Sequence, residues 1–489
     1  MNFCASTPKI RRSGGVARLS GAVFLAPVAC LPQRSPPLAA DVKMKRRFRP
    51  FSAIMAACTN KKENAVADNI LKKQIDCIAE DFLGEVYGKL NKPGREALGH
   101  LFGAITTGGS TLVSDIARPL RADSSEAEAK RAQQLVSGWL GRWDFASPTN
   151  PWLLKRAPAS DEATFALDFS DISKEFGGAG MEGMAMGWDA SRGVVAMGHD
   201  FVCVSQVGRS WREAQPVYAK LAMGRKSKGE LHESSMEAVM KQTGGLGWMV
   251  EDRGMDDAGH IRNVKRGNWK AVVRVKEMGR DVFGDGQRID KSIEAVPFRK
   301  AHLHTYRGDR AVQIRWKRGV VQWCGKPNSK DAPVENVGVL VVESRFDGKS
   351  IWMYAVCPDG MFGTEEGAFR VAVRAAQAYC DRWQIEESFQ TVKQEFALEK
   401  ARVRTFRRLE NIFALCILAY VFATDALRKS RGYRKVLKFL SDNLEKVSEK
   451  THALLAGIRV LVGEKRLRLI SGRPRKAHPP DRRQMLLAL

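Results

Sequence analysis

The chain is short of acid. Its 489 residues hold 54 Asp and Glu against 80 Lys and Arg, a formal net charge of +26. A surplus of that size points to a polyanionic partner. Nucleic acid is the usual one, because each neutralised phosphate releases condensed counterions. Cysteine is sparse and scattered: the nine thiols, at Cys4, Cys30, Cys58, Cys77, Cys203, Cys324, Cys357, Cys380 and Cys416, include no C-x-x-C pair. Neither a zinc ribbon nor a redox dithiol is supported, and an odd, dispersed set suits a reducing, cytoplasmic setting. No apolar run reaches the ~20 residues that span a bilayer. The stretch 412–423 reads instead as a core helix, so no membrane partner is expected. No internal repeat is present. Apolar residues are not lacking: at 44% they suffice for a globular protein of roughly three domains at ~150 residues each.

Acid is missing altogether before Asp41. Residues 1–43 carry Lys9, Arg11, Arg12 and Arg18, then an apolar run at 21–31, the pattern of a secretory n-region and h-region. The competing reading is an unstructured extension translated from upstream of a start at Met44. On that reading 1–60 is a poorly ordered or non-native extension.

From about Asn64, Ile70, Leu71, Ile75, Ile78, Phe82, Val86 and Leu90 recur mostly at three- and four-residue steps, which predicts one amphipathic helix. Asn91-Lys-Pro-Gly94 ends it, Gly108-Gly109-Ser110 is a turn and N-cap, and Ser125 with Glu128 fits a capping box. Residues 61–150 are therefore a helical module, read either as a DNA-end-binding domain or as a plain packing domain. After Pro148 strands appear, at 164–168, 183–188, 193–207, 248–251 and 269–275, with helices near 234–242 and 257–265. Residues 280–358 are strand-rich, clearest at 337–343 and 351–356. From Glu365 to about 440 the chain is helical, and 431–489 reads as C-terminal helices and an Arg-rich basic tail. Gly178-Ala-Gly180-Met-Glu-Gly183 satisfies G-x-G-x-x-G, but it sits in a hairpin rather than opening a helix, so a dinucleotide site is not supported. His302-Leu-His304 lacks an evident third metal ligand.

The chemistry-bearing residues are concentrated in Tyr379-Cys-Asp-Arg382-Trp-Gln-Ile-Glu386-Glu-Ser-Phe-Gln-Thr-Val-Lys393. At ~100° per residue Tyr379, Arg382, Glu386 and Lys393 fall within roughly 60° on one helix face. One carboxylate bracketed by a phenol, a guanidinium and an ammonium can hold a hard cation beside groups that grip phosphate. Two further acids stand at strand ends: Asp168 after Thr164-Phe-Ala-Leu167, and Asp252 opening Asp252-Arg-Gly-Met-Asp256. Clustered carboxylates recruit cations, as two-metal phosphoryl transfer requires.

The spacing Y-x-x-R-x-x-x-E-x-x-x-x-x-x-K, met by Tyr379, Arg382, Glu386 and Lys393, resembles the signature of insertion-sequence-4-type DDE transposases. Asp252-Arg-Gly-Met-Asp256 is similar to that family's D-R-G-[FY]-D element, with Met255 as the departure, and Asp168-Phe-Ser170 to its D-x-[ST] element. Lys174 and Met181-Glu182-Gly183 fit the hairpin that follows. Asp171 is a rival to Asp168 as first ligand. The resemblance runs from about Thr164 to Leu427. It implies an α/β fold: an RNase H-like catalytic core at 160–279 and 359–430, interrupted by the strand-rich insertion 280–358, with helical N- and C-terminal regions. It further implies Asp168, Asp252 and Glu386 as catalytic and metal-binding residues. Two Mg²⁺ ions (Mn²⁺ substituting) would be the cofactor, and Tyr379, Arg382 and Lys393 would bind DNA phosphates. The implied reaction is cut-and-paste: cleavage at the element's end, attack of the freed 3′-OH on the opposite strand to give a hairpin, then joining to target DNA. The implied partners are the terminal inverted repeats and target DNA, with a dimer synapsing two ends. An aromatic of the insertion, Trp316, Trp323 or Trp352, would stack on a flipped base. The alternatives are an inactive relative acting as a DNA-binding repressor, which would be expected to have lost a signature residue, and a metal-dependent nuclease on the same core.

Overall fold

The computed structural model describes residues 61–430, apart from short stretches at 122–123, 175–179, 190–192, 211–212, 225–227, 257, 277–281, 284–285, 324–334 and 347, together with residue 455. The expected extension 1–60 and the C-terminal helices and tail at 431–489 lie outside these, Leu455 excepted.

The chain begins with five helices: α1 (Lys61–Tyr87), α2 (Lys92–Gly108), α3 (Val113–Ala117), α4 (Glu126–Arg142) and α5 (Thr149–Leu154). The apolar stripe of α1 buries Ile75, Ala79, Phe82 and Val86. Asn91-Lys-Pro-Gly94 does more than end α1. Asn91 Oδ1 accepts from the Gly94 N–H at 3.0 Å and Pro93 sits in the first turn of α2, so the same four residues open the next helix. Ser110 is not an N-cap: α3 starts after Leu112, and Ser110 Oγ accepts from the Leu112 N–H and donates to Asp115. Ser125 caps α4 as expected, accepting from the Glu128 N–H at 3.3 Å.

The rest is built on one eleven-stranded sheet. Its strands are β1 (Thr164–Ser173), β2 (Ala185–Asp189), β3 (Val194–Val207), β4 (Gln215–Leu221), β5 (Trp248–Glu251), β6 (Lys270–Arg274), β7 (Val282–Phe283), β8 (Arg299–Thr305), β9 (Gly308–Trp323), β10 (Glu335–Phe346) and β11 (Lys349–Val356). The main path is β2-β3-β1-β5-β6-β11-β10-β9-β7, with β4 on β3 and β8 on β9. β1, β5 and β6 are parallel and β3 is antiparallel to β1. β11 pairs antiparallel with β6, so the strand-rich region at 280–358 continues the same sheet. β4 is a strand with no counterpart among the sequence expectations. Pro216 argues against it, yet β4 pairs on one side only, where proline is tolerated. Its burial is also nearly continuous, leaving no period-two signal.

Helices cover both faces. One face of β1 and β5, including Ala166 and Val250, packs on α9 (Glu365–Glu395) and α10 (Phe406–Val421). The other face, including Leu167 and Met249, packs on α6 (Lys228–Thr243) and α7 (Ala258–Arg266) through Val239, Met240, Ile261 and Val264. The N-terminal helices share the first of these cores. Asn411 of α10 accepts from the backbone of Phe145 and Ala146 and donates to Leu140 and Trp143 carbonyls, all at 2.8–3.0 Å.

The helix expected to run on from Glu365 to about 440 is broken. α9 stops at Glu395, Ala397 takes a left-handed conformation (φ 49°), and α10 restarts at Phe406. Through a π turn and a last helical turn, α10 extends to Lys429. This Phe406–Lys429 helix is long and apolar enough to cross a membrane by length and composition, against the sequence expectation, but 89% of its apolar window is buried in the fold. It is the core helix that 412–423 suggested, lengthened at both ends.

Candidate active site

Backbone register brings Asp168 and Asp252 together, although β1 runs on to Ser173 and so holds Asp168 within the strand rather than at the end the sequence suggested. β1 and β5 pair in parallel with Leu167 opposite Glu251, so Asp168 and Asp252 come next on neighbouring strands, where backbones run ~4.8 Å apart. Side chains alternate along a strand, and both aspartates stand two residues beyond Ala166 and Val250 on the face covered by α9.

From α9, Arg382 reaches into this pair. Its Nη1 donates to Asp168 Oδ2 at 2.9 Å and its Nη2 to Glu386 Oε1 at 2.5 Å. The guanidinium is buried and bridges a strand acid to a helix acid. Arg274 of β6 approaches Asp252 Oδ1 at 3.7 Å. The Tyr379 ring lies 5.6 Å from the Arg382 guanidinium and 6.0 Å from that of Arg274. Lys393 is the outlier of the helix set, since it pairs with Asp171 Oδ1 at 3.4 Å and Glu399 Oε1 at 3.5 Å. Asp171, the rival first ligand, is thus engaged by Lys393 and by the Ser173 hydroxyl.

The electrostatics show one shared field. Burial pushes the Asp168 carboxyl up to about 6; Arg382 and the Phe169 N–H pull it back, while Glu386 and Asp252 push it further up. Burial works against the charge of Arg382, but Asp168, Glu386 and Asp252 outweigh it and raise its pKa above the ordinary value. Burial raises Tyr379 as well. Asp252 Oδ1 is buried and accepts no hydrogen bond among the described residues. Asp168, Asp252 and Glu386 thus act on one another electrostatically with Arg382 standing between Asp168 and Glu386, but among the described residues only His232, Glu251 and His260 bring ligand atoms within 4.8 Å of one another.

Several residues carry no sequence signal of their role. Trp383, next to Arg382, is a large aromatic exposed at 47%, with the Arg307 guanidinium 5.8 Å from its ring. Of the insertion tryptophans, Trp316 is buried against Phe369 and is not available to stack on a base, which corrects that expectation. Trp352 is partly buried against the core, and the Trp323 side chain lies outside the described residues. His304 joins an exposed network with Asp309 and Arg209. Gly183 is left-handed (φ 71°), and a Cβ there would meet Met223 Cγ at 2.2 Å, so this glycine serves a turn. His232, Glu251 and His260 converge in the interior behind β5. Burial would raise Glu251, but His260 and His232 outweigh it and hold it well below the carboxylate range. No spacing announces that trio, because its members lie on α6, β5 and α7.

A mixed α/β protein with a central sheet, whose helix α9 brings Arg382 and Glu386 against Asp168 of β1 and close to Asp252, is the class that fold and site define. Residues 232–422 match the model of the transposase DDE domain, a span that takes in Asp252 and the whole Tyr379–Lys393 set and begins after Asp168. That match to a transposase DDE domain supports a transposase enzyme, and DDE transposases use divalent metal ions. No curated protein sequence matches it. Among solved structures, a piggyBac transposase in a synaptic complex with hairpin DNA is similar at 11% identity and a TM-score of 0.38, over 76% of this chain and 71% of that one.

Proposed function

We propose that the chain is an insertion-sequence-4-type transposase with an RNase H-like core, cutting and joining DNA at the ends of its element by two-metal phosphoryl transfer. The core would be the β4-β3-β1-β5-β6 part of the sheet with α9, and the remaining strands the insertion. Asp168, Asp252 and Glu386 would hold the divalent ions, Mg²⁺ by preference for carboxylate oxygen. When bound, such ions stabilise charge on the attacking and leaving oxygens of an in-line displacement. The observation that carries the reading is the Arg382 bridge, which ties Glu386 to Asp168 at the mouth of the parallel strands. In the free protein Arg382 neutralises two acids that otherwise repel each other. On DNA, Tyr379, Arg382 and Lys393 grip phosphates flanking the cut. Exposed Trp383 is aligned to stack on an unpaired base beside them. The partners are the terminal inverted repeats and target DNA, the working form on two ends is a dimer, and the setting is cytoplasmic. A hairpin on the element end is the proposed intermediate.

The test is Glu386→Gln. This variant keeps DNA-end binding and loses Mg²⁺-dependent cleavage by roughly 1,000-fold or more, the scale for one member of a cooperating catalytic set. Full cleavage by the variant would overturn the assignment. Cleavage without strand joining by the wild-type chain would make it a nuclease on the same core.

A further inference from the structure

Behind the strand that carries Asp252 lies a second cluster that phosphoryl transfer does not use. Glu251 is the last residue of β5, one before Asp252, and strand alternation turns its side chain to the opposite face of the sheet. There it meets His232 from α6 and His260 from α7. Glu251 Oε1 lies 3.2 Å from His232 Nε2, and Oε2 lies 2.7 Å from His260 Nε2. Side-chain exposures are 3%, 0% and 6% for His232, Glu251 and His260, so bulk water does not compete for these atoms. The two rings stand edge to face with centroids 4.2 Å apart.

Two features favour a cation over a simple hydrogen-bonded network. The ligand atoms of all three residues lie within 4.8 Å of one another, the span of donors around one ion. The three side chains also come from three separate elements and turn their ligand atoms to one solvent-shielded place behind β5. Two imidazoles and one carboxylate suit a borderline transition metal better than Mg²⁺, which takes oxygen ligands and retains water. Zinc has no geometric preference of its own and adopts a compact tetrahedral site with ease.

We infer that His232, Glu251 and His260 form a zinc site, separate from the Asp168–Asp252–Glu386 acids, that clamps the end of β5 between α6 and α7, a water completing the tetrahedron beside the three side chains. The ion ties two helices to the strand immediately before Asp252. The inference rests on the geometry behind β5 and not on the roles assigned to the three acids.

The experiment measures metal in the full-length protein. Plasma mass spectrometry on protein purified without chelator is expected to find about one zinc per chain. Stripped protein titrated with Co²⁺ is expected to develop the visible absorption bands of a tetrahedral imidazole-containing site. Asp168→Asn with Glu386→Gln keeps both signals, whereas His260→Ala and Glu251→Gln lose both. Absence of zinc together with a featureless Co²⁺ titration of wild-type protein would overturn the proposal, and that result needs no variant to fold. Zinc retained in His260→Ala and Glu251→Gln, or lost in the double acid variant, would overturn it too. Full cleavage by Glu386→Gln would overturn only the proposed function, so the two readings fail separately.

Discussion

Arg382 donates to Asp168 across 214 positions of sequence at 2.9 Å, and the same guanidinium holds Glu386 one helical turn away. This contact fastens α9 to the middle of β1. Arg382→Ala leaves two partly buried acids facing each other without a counter-charge. The expected loss is about 2 kcal/mol of stability in the absence of metal, below the usual figure for a buried pair because both acids are partly exposed. Thermal melts with and without Mg²⁺ check this, and Mg²⁺ should restore more stability to the variant than to the wild type. Equal melting points for variant and wild type would rule the bridge out as a structural tie.

Asp168 and Asp171 are separable by substitution. Asp168→Asn should remove cleavage, while Asp171→Asn should retain most of it, since Asp171 is taken up by Ser173 and Lys393. Cleavage assays on a labelled element end decide between them. The opposite pattern would move the first ligand by three residues.

Stability of the metal-free protein should depend on pH through Asp168. Its folded pKa, raised to about 6 by burial, lies above the unfolded value of about 4. Between those values the folded state binds more protons, so stability falls as pH rises through that window. Chemical denaturation from pH 4 to 7 is expected to show a loss of roughly 2 kcal/mol that Asp168→Asn lacks. Saturating Mg²⁺ should erase the loss, and an unchanged slope in the variant would assign it elsewhere.

Ala397 carries backbone strain that glycine would relieve. Its φ of 49° places a Cβ-bearing residue in the left-handed region between α9 and α10. Its carbonyl accepts from Thr111 at 2.7 Å, and the next carbonyls, of Leu398, Glu399 and Ala401, surround Lys174 Nζ at 2.8–3.3 Å. Ala397→Gly should stabilise by about 0.5–1 kcal/mol, the left-handed penalty exceeding the entropy glycine adds to the unfolded chain. A lower denaturation midpoint would show that the turn is not under strain.

Binding to DNA should weaken steeply with salt. With a formal charge of +26, phosphate contacts should dominate the affinity, and log K then falls linearly with log salt at about −0.9 per phosphate neutralised. Fluorescence anisotropy over a salt series measures that slope, and a flat response would count against backbone-dominated contact.

Much of the site was legible before folding, but unevenly. The Tyr379, Arg382 and Glu386 set was readable because a helix repeats every 3.6 residues, so spacing alone fixes a face. Lys393 shares that spacing yet serves Asp171 and Glu399, because the last turns of α9 pass over a different part of β1. The helix break at Ala397 was not legible, since alanine favours helix and the carbonyls of the turn are held by the distant Thr111 and Lys174. Nor was β4, whose near-continuous burial hid its alternation and whose proline spoke against a strand.

The sequence by itself determined the basic charge, most of the order of helices and strands, and the single face of α9 on which Glu386 stands among a phenol and a guanidinium. These are local properties, set by composition and by the periods of helix and strand. Only the tertiary structure decided that Leu167 lies opposite Glu251, and hence that Asp168 stands beside Asp252. Strand register is a pairing between distant segments, chosen by which faces can be buried together, and a single-residue slip would send one aspartate to the wrong side. The gathering of His232, Glu251 and His260 behind that same pairing is a product of register and helix packing in the same way.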